Sequence, residues 1–249
     1  DDDGLIEAGI EGEALTWMDA RIDGVAVTPR IGKPIELSAL WHSGLRLLAA
    51  HVDARDRDRL IATANLTCSS FGAFWNAEAG CCFDVLARNG NGWSGDARIR
   101  PNQLFAVSLP HSPLTPSQQC QTVEAVREHL LTPYGLRTLS PIDPEYRGRF
   151  EGTMTDRDTA YHNGTVWPWL IGPWCDAIRS IAGDHDSATR EVQNATASLL
   201  DSLDQGCTGQ IAEIYDGDAP HRPHGCPAQA WSVANLLRAR SPEVAFRKG

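Results

Sequence analysis

The residues best suited to chemistry crowd into one segment, Glu151–Trp169, which reads EGTMTDRDTAYHNGTVWPW. It holds carboxylates, an imidazole, a carboxamide and two tryptophans, and Gly152, Gly164 and Pro168 interrupt it. It has no hydrophobic period of 2 or 3.6, so it does not build a core element on its own. Aromatic faces stack on pyranose C–H surfaces, while carboxylates and amides hold hydroxyls. The segment favours a sugar site over the alternative, a helix-entry loop with buried tryptophans.

Two further carboxylates lie in apolar surroundings. Asp19 follows Trp17 and Met18 in a non-helical segment, and Glu213 lies between Ile-Ala and Ile-Tyr. Hydrolysis of a glycosidic bond needs one protonated carboxyl at the leaving oxygen and one carboxylate opposite it. An apolar or anionic setting raises the pKa of such an acid toward neutrality. Asp19 is therefore a candidate acid and Glu213 a candidate base, although a solvated loop carboxylate is the commoner case.

One pattern invites a metal site, the spacing His221-x-x-His224-x-Cys226. No second ligand cluster accompanies it in the sequence, and its proline and glycine content fits a rigid loop equally well. The sequence contains no GxGxxG, P-loop, GxSxG or HExxH motif, so nucleotide-binding, serine-hydrolase and zincin functions have no support. We therefore predict that the protein holds no metal and needs no cofactor.

The composition of the chain argues against some classes of binding partner and indicates a cellular compartment. The chain has 249 residues and a formal net charge of -10, which argues against a nucleic-acid partner because phosphates are bound by Lys and Arg. Neither a membrane-spanning apolar run nor a signal-peptide pattern is present in the sequence. The seven cysteines are an odd number, with Cys81 and Cys82 adjacent and no CxxC pair. This usage favours reduced thiols and a cytoplasmic protein.

Helical segments must position these residues. The clearest helix start is Thr115-Pro116-Ser117-Gln118, with Thr115 as N-cap, Pro116 at N1 and Gln118 at N3. Helices are predicted over about 34–51, 55–77, 101–109, 116–132, 168–183, 187–203 and 227–237. Gly80–Val85 is predicted to be extended, and Arg88–Gly95 is predicted to be a turn-rich loop.

The candidate residues fall between these helices, in long loops at 15–34, 140–167 and 206–227. Loops of this length are usually functional or disordered, and the aromatic residues in them argue against disorder. About seven helices with little strand and no alternation of strand and helix predict an all-α fold. We treat residues 1–249 as a single domain, either an array of α-hairpins or a toroid.

Several motifs carry a resemblance to a known family, the C-terminal amylo-α-1,6-glucosidase domain of glycogen debranching enzymes. They are Trp17–Ala20, Thr28–Glu36, Gln103–Ser108, Leu131–Leu139, Tyr161–Pro168, Gln210–Gly217 and Gly225–Trp231. The motifs occur in the same order as in the family and run from about Asp2 to Arg238, so the resemblance covers nearly the whole chain.

The resemblance implies an (α/α)6 toroid that hydrolyses α-1,6-linked glucose at glycogen branch points with inversion. The family's general acid, the Asp of a Trp-Met-Asp motif, falls on Asp19, and its general base falls on Glu213. No metal or organic cofactor is implied. The implied partner is glycogen, limit dextrin or another branched α-glucan. An inverting pair stands about 6.5–9.5 Å apart to admit the attacking water.

The remaining roles are assigned by side-chain chemistry within the same site. Aromatic side chains are predicted to form the apolar walls, and polar ones to hold sugar hydroxyls. The walls are assigned to Trp17, Trp167 and Tyr215, and substrate binding to Arg21, Asp156, Asp158, His162 and Asn163.

The start of the chain changes the expectation of a complete toroid. It begins Asp1-Asp2-Asp3-Gly4 without methionine, directly before the predicted acid. We therefore expect the C-terminal half to two-thirds of a toroid, with an N-terminal part of the same polypeptide missing. Two alternatives stay open: another toroid glycosidase, similar to glucoamylase or trehalase, or a carbohydrate-binding fragment without turnover.

Overall fold

In the computed structural model, residues 2–204 and 209–241 are described. Residues 206–208 of the third predicted loop lie outside the described residues. Within the described part, helices dominate. Eight α-helices are present: α1 (Ile35–Ala49), α2 (Ala54–Ser70), α3 (Phe105–Ser108), α4 (Pro116–His129), α5 (Met154–Ala160), α6 (Ile171–Ile181), α7 (His185–Asp201) and α8 (Ala230–Arg240).

Short strands connect the helices. The described part contains twelve of them: β1 (Arg21–Ile22), β2 (Val25–Ala26), β3 (Lys33–Pro34), β4 (Trp75–Asn76), β5 (Cys81–Cys82), β6 (Val85–Asn89), β7 (Gly92–Gly95), β8 (Leu131–Thr132), β9 (Gly135–Arg137), β10 (Val166–Trp167), β11 (Ile214–Tyr215) and β12 (Pro223–His224). They form four small antiparallel sheets. The all-α prediction is therefore not confirmed, although helices form the scaffold. Most of the strands have only two or three residues, which is too short to show a hydrophobic period in the sequence.

Helix starts follow local capping chemistry. Thr115 and Gln118 form the predicted capping box at the start of α4. Asp184 caps α7 by accepting a hydrogen bond from the amide of Ser187. The predicted cap at Asp186 or Ser187 is thus two or three residues too late. Pro34 ends β3, and α1 begins at Ile35.

Two segments were predicted wrongly. The segment predicted as a turn-rich loop is a β-hairpin of β6 and β7, in which Ala87 pairs with Ser94. The long loop before Trp167 contains α5, whose start is capped by the side chain of Thr153. In addition, the last helix begins at Ala230, three residues after the predicted start at Pro227. Here the tertiary partners, rather than local periodicity, decide the conformation.

The core forms around α6. This helix contacts α3, α4, α7 and α8, and its Trp174 is fully buried. Burying a side chain of this size contributes more apolar area than any aliphatic residue could. α6 therefore anchors one side of the molecule and fixes the segment that precedes it, which ends in β10 and a 3-10 turn.

A five-stranded sheet joins the predicted catalytic loops. Its strand order is β12-β11-β10-β9-β8, and Val166 of β10 pairs with Tyr215 of β11 and with Arg137 of β9. Because β10 closes the loop at 140–167 and β11 follows Glu213, this pairing places the two loops side by side.

None of the described helices is both long enough and apolar enough to cross a membrane.

Candidate active site

Asp19 lies on the open side of the site, just before the hairpin of β1 and β2. Its side chain is 68% exposed, and Oδ1 stands 3.7 Å from Nε2 of His162. The interaction with the His162 side chain lowers the pKa of Asp19 below its ordinary value, while partial burial opposes that change. With solvent on one side and the imidazole on the other, Asp19 can present a carboxyl oxygen to a bound molecule.

Aromatic rings form the floor beside Asp19. The ring of Trp17 meets three others edge-on: His162 at 5.3 Å, Trp167 at 5.5 Å and Trp169 at 5.1 Å between centroids. Trp17 also donates its indole N–H to Oδ1 of Asn102 at 2.7 Å. The ring is therefore fixed in orientation, and with it the backbone that carries Asp19.

Glu213 is held by several donors. Its Oε2 accepts from the amide of Cys226 at 3.0 Å, and its Oε1 accepts from Nε2 of Gln229 at 2.6 Å. Gly225, at φ +72°, lies directly under the carboxylate, where any Cβ would collide with it. These contacts fix Glu213 as an acceptor, which is the arrangement a general base requires.

Tyr161 connects the two carboxylates. Burial raises the pKa of its hydroxyl, and the charge of Glu213, a hydrogen bond to Glu213 and the charge of Asp19 raise that pKa further. Its ring lies 4.8 Å from His162 and 5.0 Å from Trp167. Since the charges of both carboxylates act on Tyr161, Asp19 and Glu213 lie near the same side chain although they are far apart in the sequence.

The structure places the other predicted residues in several environments. Trp167 is buried and stacks on His162 at 5.1 Å. Arg21 forms an ion pair with Glu13 at 2.6 Å and acts electrostatically on Asp19. Asp158 is half-buried on α5, which packs against β1. The binding roles of Arg21 and Asp158 stay predictions.

Three predicted substrate ligands are engaged by the protein. Both ends of the Asn163 amide are hydrogen-bonded, to Arg100 and to the Thr159 carbonyl. Asp156 accepts from the Thr153 amide and hydroxyl at the start of α5. These contacts give both side chains a structural role, and their substrate-binding roles stay predictions.

Tyr215 is the third predicted substrate-binding residue whose side chain is engaged by the protein. It is buried, its ring stacks on Tyr134 at 4.7 Å, and its hydroxyl lies 3.3 Å from the Ser202 hydroxyl. Burial and pairing depend on tertiary contacts, so the local sequence could not separate Tyr215 from an exposed wall residue.

A buried network of charges, which the sequence did not reveal, supports the floor. Arg30 donates to both oxygens of Asp84 and also pairs with Glu36. Burial by itself lowers the pKa of Arg30, but the charges of Asp84 and Glu36 raise it well above its ordinary value. Asp84 in turn accepts from Asn102 at 2.7 Å, the residue that holds Trp17.

Arg100 extends this network to the other loop. It is 1% exposed and donates to the carbonyl of His162 at 2.6 Å, to the carbonyl of Thr138 and to Oδ1 of Asn163. Because a buried guanidinium needs its donors satisfied, this set of acceptors fixes the backbone at His162. The only sequence signal was that these charges fall in otherwise apolar or proline-containing segments.

One more tryptophan, Trp231, extends the aromatic floor toward Glu213. Trp231 is 37% exposed, stacks on Trp169 at 5.0 Å and meets Trp167 edge-on at 5.6 Å. It follows Gln229, the residue that holds Glu213, by two positions. Trp231 therefore offers an aromatic surface near the base that the sequence-based assignment omitted.

The three residues of the metal pattern have separate protein partners. His221 Nδ1 lies 2.8 Å from the Asp216 carbonyl, and His224 lies 3.1 Å from the Asp216 carboxylate. The Cys226 thiol donates to the Ala228 carbonyl at 3.3 Å. Over residues 2–204 and 209–241, no group of three His, Cys, Asp or Glu side chains is placed to hold a metal ion.

A helical scaffold with two carboxylates over an aromatic floor is characteristic of a glycoside hydrolase. Comparison with known proteins agrees. The family model described as amylo-alpha-1,6-glucosidase matches residues 1–238. The chain belongs to this family.

Individual relatives are distant. A glycogen debranching enzyme of Saccharomyces cerevisiae is 26% identical over 292 residues, which cover 94% of this chain and 19% of that protein. The chain thus spans about a fifth of the length of this curated relative. A GH63 mannosylglycerate hydrolase from Thermus thermophilus matches with 18% identity and a TM-score of 0.56, over 82% of this chain and 46% of that chain.

A second solved structure, an uncharacterized conserved protein of the same organism, has 18% identity and a TM-score of 0.58, over 84% of this chain and 48% of that chain. At this identity the likeness concerns the fold alone. Both neighbours contain more than the matched region, so the chain corresponds to about half of their fold.

Proposed function

We propose that the chain carries the site for inverting hydrolysis of α-1,6-linked glucose at the branch points of glycogen or a limit dextrin. The observation that carries the proposal is the pairing of β10 with β11, which brings Glu213 next to the segment of His162, the side chain that faces Asp19, in a chain of the amylo-alpha-1,6-glucosidase family. In this mechanism Asp19 protonates the leaving oxygen, and Glu213 takes a proton from the attacking water.

The environments of the two carboxylates support these roles. Glu213 is held in place by hydrogen bonds from the amide of Cys226 and the side chain of Gln229. Asp19 is open to solvent on one side, so a sugar bound over it would remove water and raise the pKa of Asp19 toward neutrality. The same sugar would lie against Trp17 and Trp231, whose rings can stack on its C–H faces.

We also propose that the described helices form part of an (α/α)6 toroid. Support comes from α1, which turns Leu40, Trp41, Leu47 and Leu48 outward. An exposed apolar face of this kind marks a contact surface for other elements. A cytoplasmic location is part of the proposal, supported by six free cysteines among the described residues.

Glucose release from a phosphorylase-limit dextrin tests the proposal. We expect the parent chain to release glucose, and Asp19→Asn and Glu213→Gln to lose about 10²–10⁴-fold in rate, as expected for a positioned acid or base. The matched controls are Asp58→Asn and Glu78→Gln, two exposed carboxylates away from the site. More than about a tenth of the activity remaining in either site variant would contradict the assignment.

The alternatives give different results in the same assay. Release of glucose from trehalose or maltose, but not from the branched dextrin, would identify another glycosidase of this fold. Dextrin binding without turnover, equal in the parent and in Glu213→Gln, would identify a carbohydrate-binding chain.

A further inference from the structure

His162 has an unusual environment for a polar side chain. Its ring is fully buried, and neither ring nitrogen has a hydrogen-bond partner within the described part of the chain. Nε2 faces Oδ1 of Asp19 at 3.7 Å, slightly beyond hydrogen-bond distance. A buried polar group without a partner is costly, and such groups often have a functional reason. The carboxylate of Asp19 is the polar group that Nε2 faces.

The ring cannot turn away from Asp19. It stacks on Trp167 with planes 16° apart and is flanked by Trp17 and Tyr161 at 5.3 and 4.8 Å. Its backbone carbonyl is fixed by Arg100. Rings on three sides and a guanidinium on the backbone hold the imidazole in one orientation.

Full burial of the ring also excludes the substrate-binding role that the sequence predicts for His162. A ring with no exposed surface cannot hold a sugar hydroxyl, whereas Asp19, which it faces, is largely exposed. The imidazole therefore acts on the substrate through Asp19 or has no part in the reaction.

We infer that His162 is a positioning residue for the general acid: its Nε2–H holds Oδ1 of Asp19, so that Oδ2 carries the proton toward the leaving oxygen. This inference rests on the proposed function. Oδ1 can accept from Nε2 whether Asp19 is ionised or protonated on Oδ2, so one neutral tautomer serves the whole cycle. No proton passes between the two side chains.

The surrounding charges are consistent with a neutral imidazole. Burial lowers the pKa of His162, and Arg100 lowers it further, while Asp19 and Glu213 raise it. Arg21 acts electrostatically on Asp19, and the hydroxyl of Tyr161 is a further titratable group nearby. A neutral ring donates to Asp19 without adding a positive charge that would hold the acid ionised.

Three substitutions of His162 distinguish a residue that positions Asp19 from one that only fills the core. The amide of Gln can place a donor near the Nε2 position, the shorter Asn cannot, and Phe keeps the stacking ring without a donor. We expect His162→Gln to keep kcat on limit dextrin within about threefold. We expect His162→Asn and His162→Phe to lose about 10–100-fold in kcat with little change in KM, because the acid loses its orientation.

The pKa of Asp19, measured by ¹³C NMR of its carboxyl and assigned by comparison with Asp19→Asn, provides a readout that needs no turnover. Loss of the donor should raise the pKa of Asp19 in His162→Phe, and His162→Gln should restore it. If the parent releases no glucose, the proposed function fails, while this titration still decides whether His162 acts on Asp19.

Two results would overturn the inference. One is a parent-like kcat and Asp19 pKa in His162→Phe, which would make the ring purely structural. The other is a raised KM at unchanged kcat, which would make His162 a substrate ligand. If the Phe variant does not fold, the comparison of Gln with Asn decides by the same criteria.

Discussion

The two carboxylates of the site are held in opposite ways. Glu213 accepts hydrogen bonds from a backbone amide and from a side-chain amide, whereas Asp19 is largely exposed and faces His162. A base must stay ionised and fixed, while an acid must be able to regain its proton after each turnover. The difference in environment therefore matches the proposed difference in role.

Gly225 offers a test of how closely Glu213 must be held. A Cβ at this position would collide with the Glu213 carboxylate, so Gly225→Ala should displace the base and lower kcat on limit dextrin by about 10–100-fold. Gly12→Ala is the matched control, since Gly12 has φ +81° with open space around it. It should cost about 1–2 kcal/mol of stability from the left-handed backbone, with parent-like kcat.

The kcat of the two glycine variants is measured by steady-state kinetics, and their free energy of unfolding is measured in urea. Equal kcat in Gly225→Ala and Gly12→Ala would mean that the position of Glu213 does not limit the rate.

For single residues, the sequence predicted which side chains could take part in catalysis better than it predicted their burial and contacts. The apolar neighbours of Asp19 and Glu213 are visible in the sequence. The structure brings Asp19 to His162 and places the segment of Glu213 beside β10. Their catalytic roles stay predictions. Asn163 and Tyr215 carry suitable groups too, but whether an amide or a hydroxyl faces solvent depends on residues far away in the sequence.

Among the elements, the buried network links parts of the fold that carry the site. Arg30 precedes β3, Glu36 lies in the first turn of α1, and Asp84 precedes β6. Through Asn102 and Trp17, the same network reaches the segment of Asp19. The floor of the site is thus fixed by charges that never contact the substrate.

Asp84→Asn tests this support. Asp84 is 2% exposed, and neutralising one partner of a buried ion pair leaves the others unbalanced, at a cost of about 3–5 kcal/mol in the free energy of unfolding. Glu145→Gln removes the exposed pair with Arg98 and should cost at most about 1 kcal/mol. Urea unfolding measures both, and similar small losses would show that the network is not needed for stability.

Elements with a local signal were predicted well, and those without one were not. The capping box of Thr115 and Gln118 makes its own hydrogen bonds, so α4 could be predicted from four residues. The hairpin of β6 and β7 depends on pairing with β3, and α5 has only seven residues. Such short elements carry too few residues for a hydrophobic period.

For the whole molecule, the central feature is the five-stranded sheet that joins two loops. By pairing β10 with β11 it brings Glu213 next to the segment of Tyr161 and His162. A pairing of two-residue strands far apart in sequence leaves no local pattern, so the sequence predicted both loops but not their contact. The resemblance to a family supplied the proximity that the residues could not.

The outward apolar face of α1 also concerns the architecture of the whole molecule. Its buried side mixes apolar residues such as Ile35 and Leu45 with polar ones such as Glu36 and His42, while Leu40, Trp41, Leu47 and Leu48 face outward. A helix whose outer side faced only water would carry polar residues there. It fits the proposal that α1 packs against further helices of a toroid.

The anomer of the first glucose released from a phosphorylase-limit dextrin tests the central claim most directly. If Asp19 and Glu213 act as an acid and base on opposite sides of the bond, water displaces the α-linked chain with inversion. Proton NMR of the parent reaction should then detect β-glucose first, with α-glucose appearing only at the rate of spontaneous mutarotation. Formation of α-glucose as the first product would contradict the inverting pair.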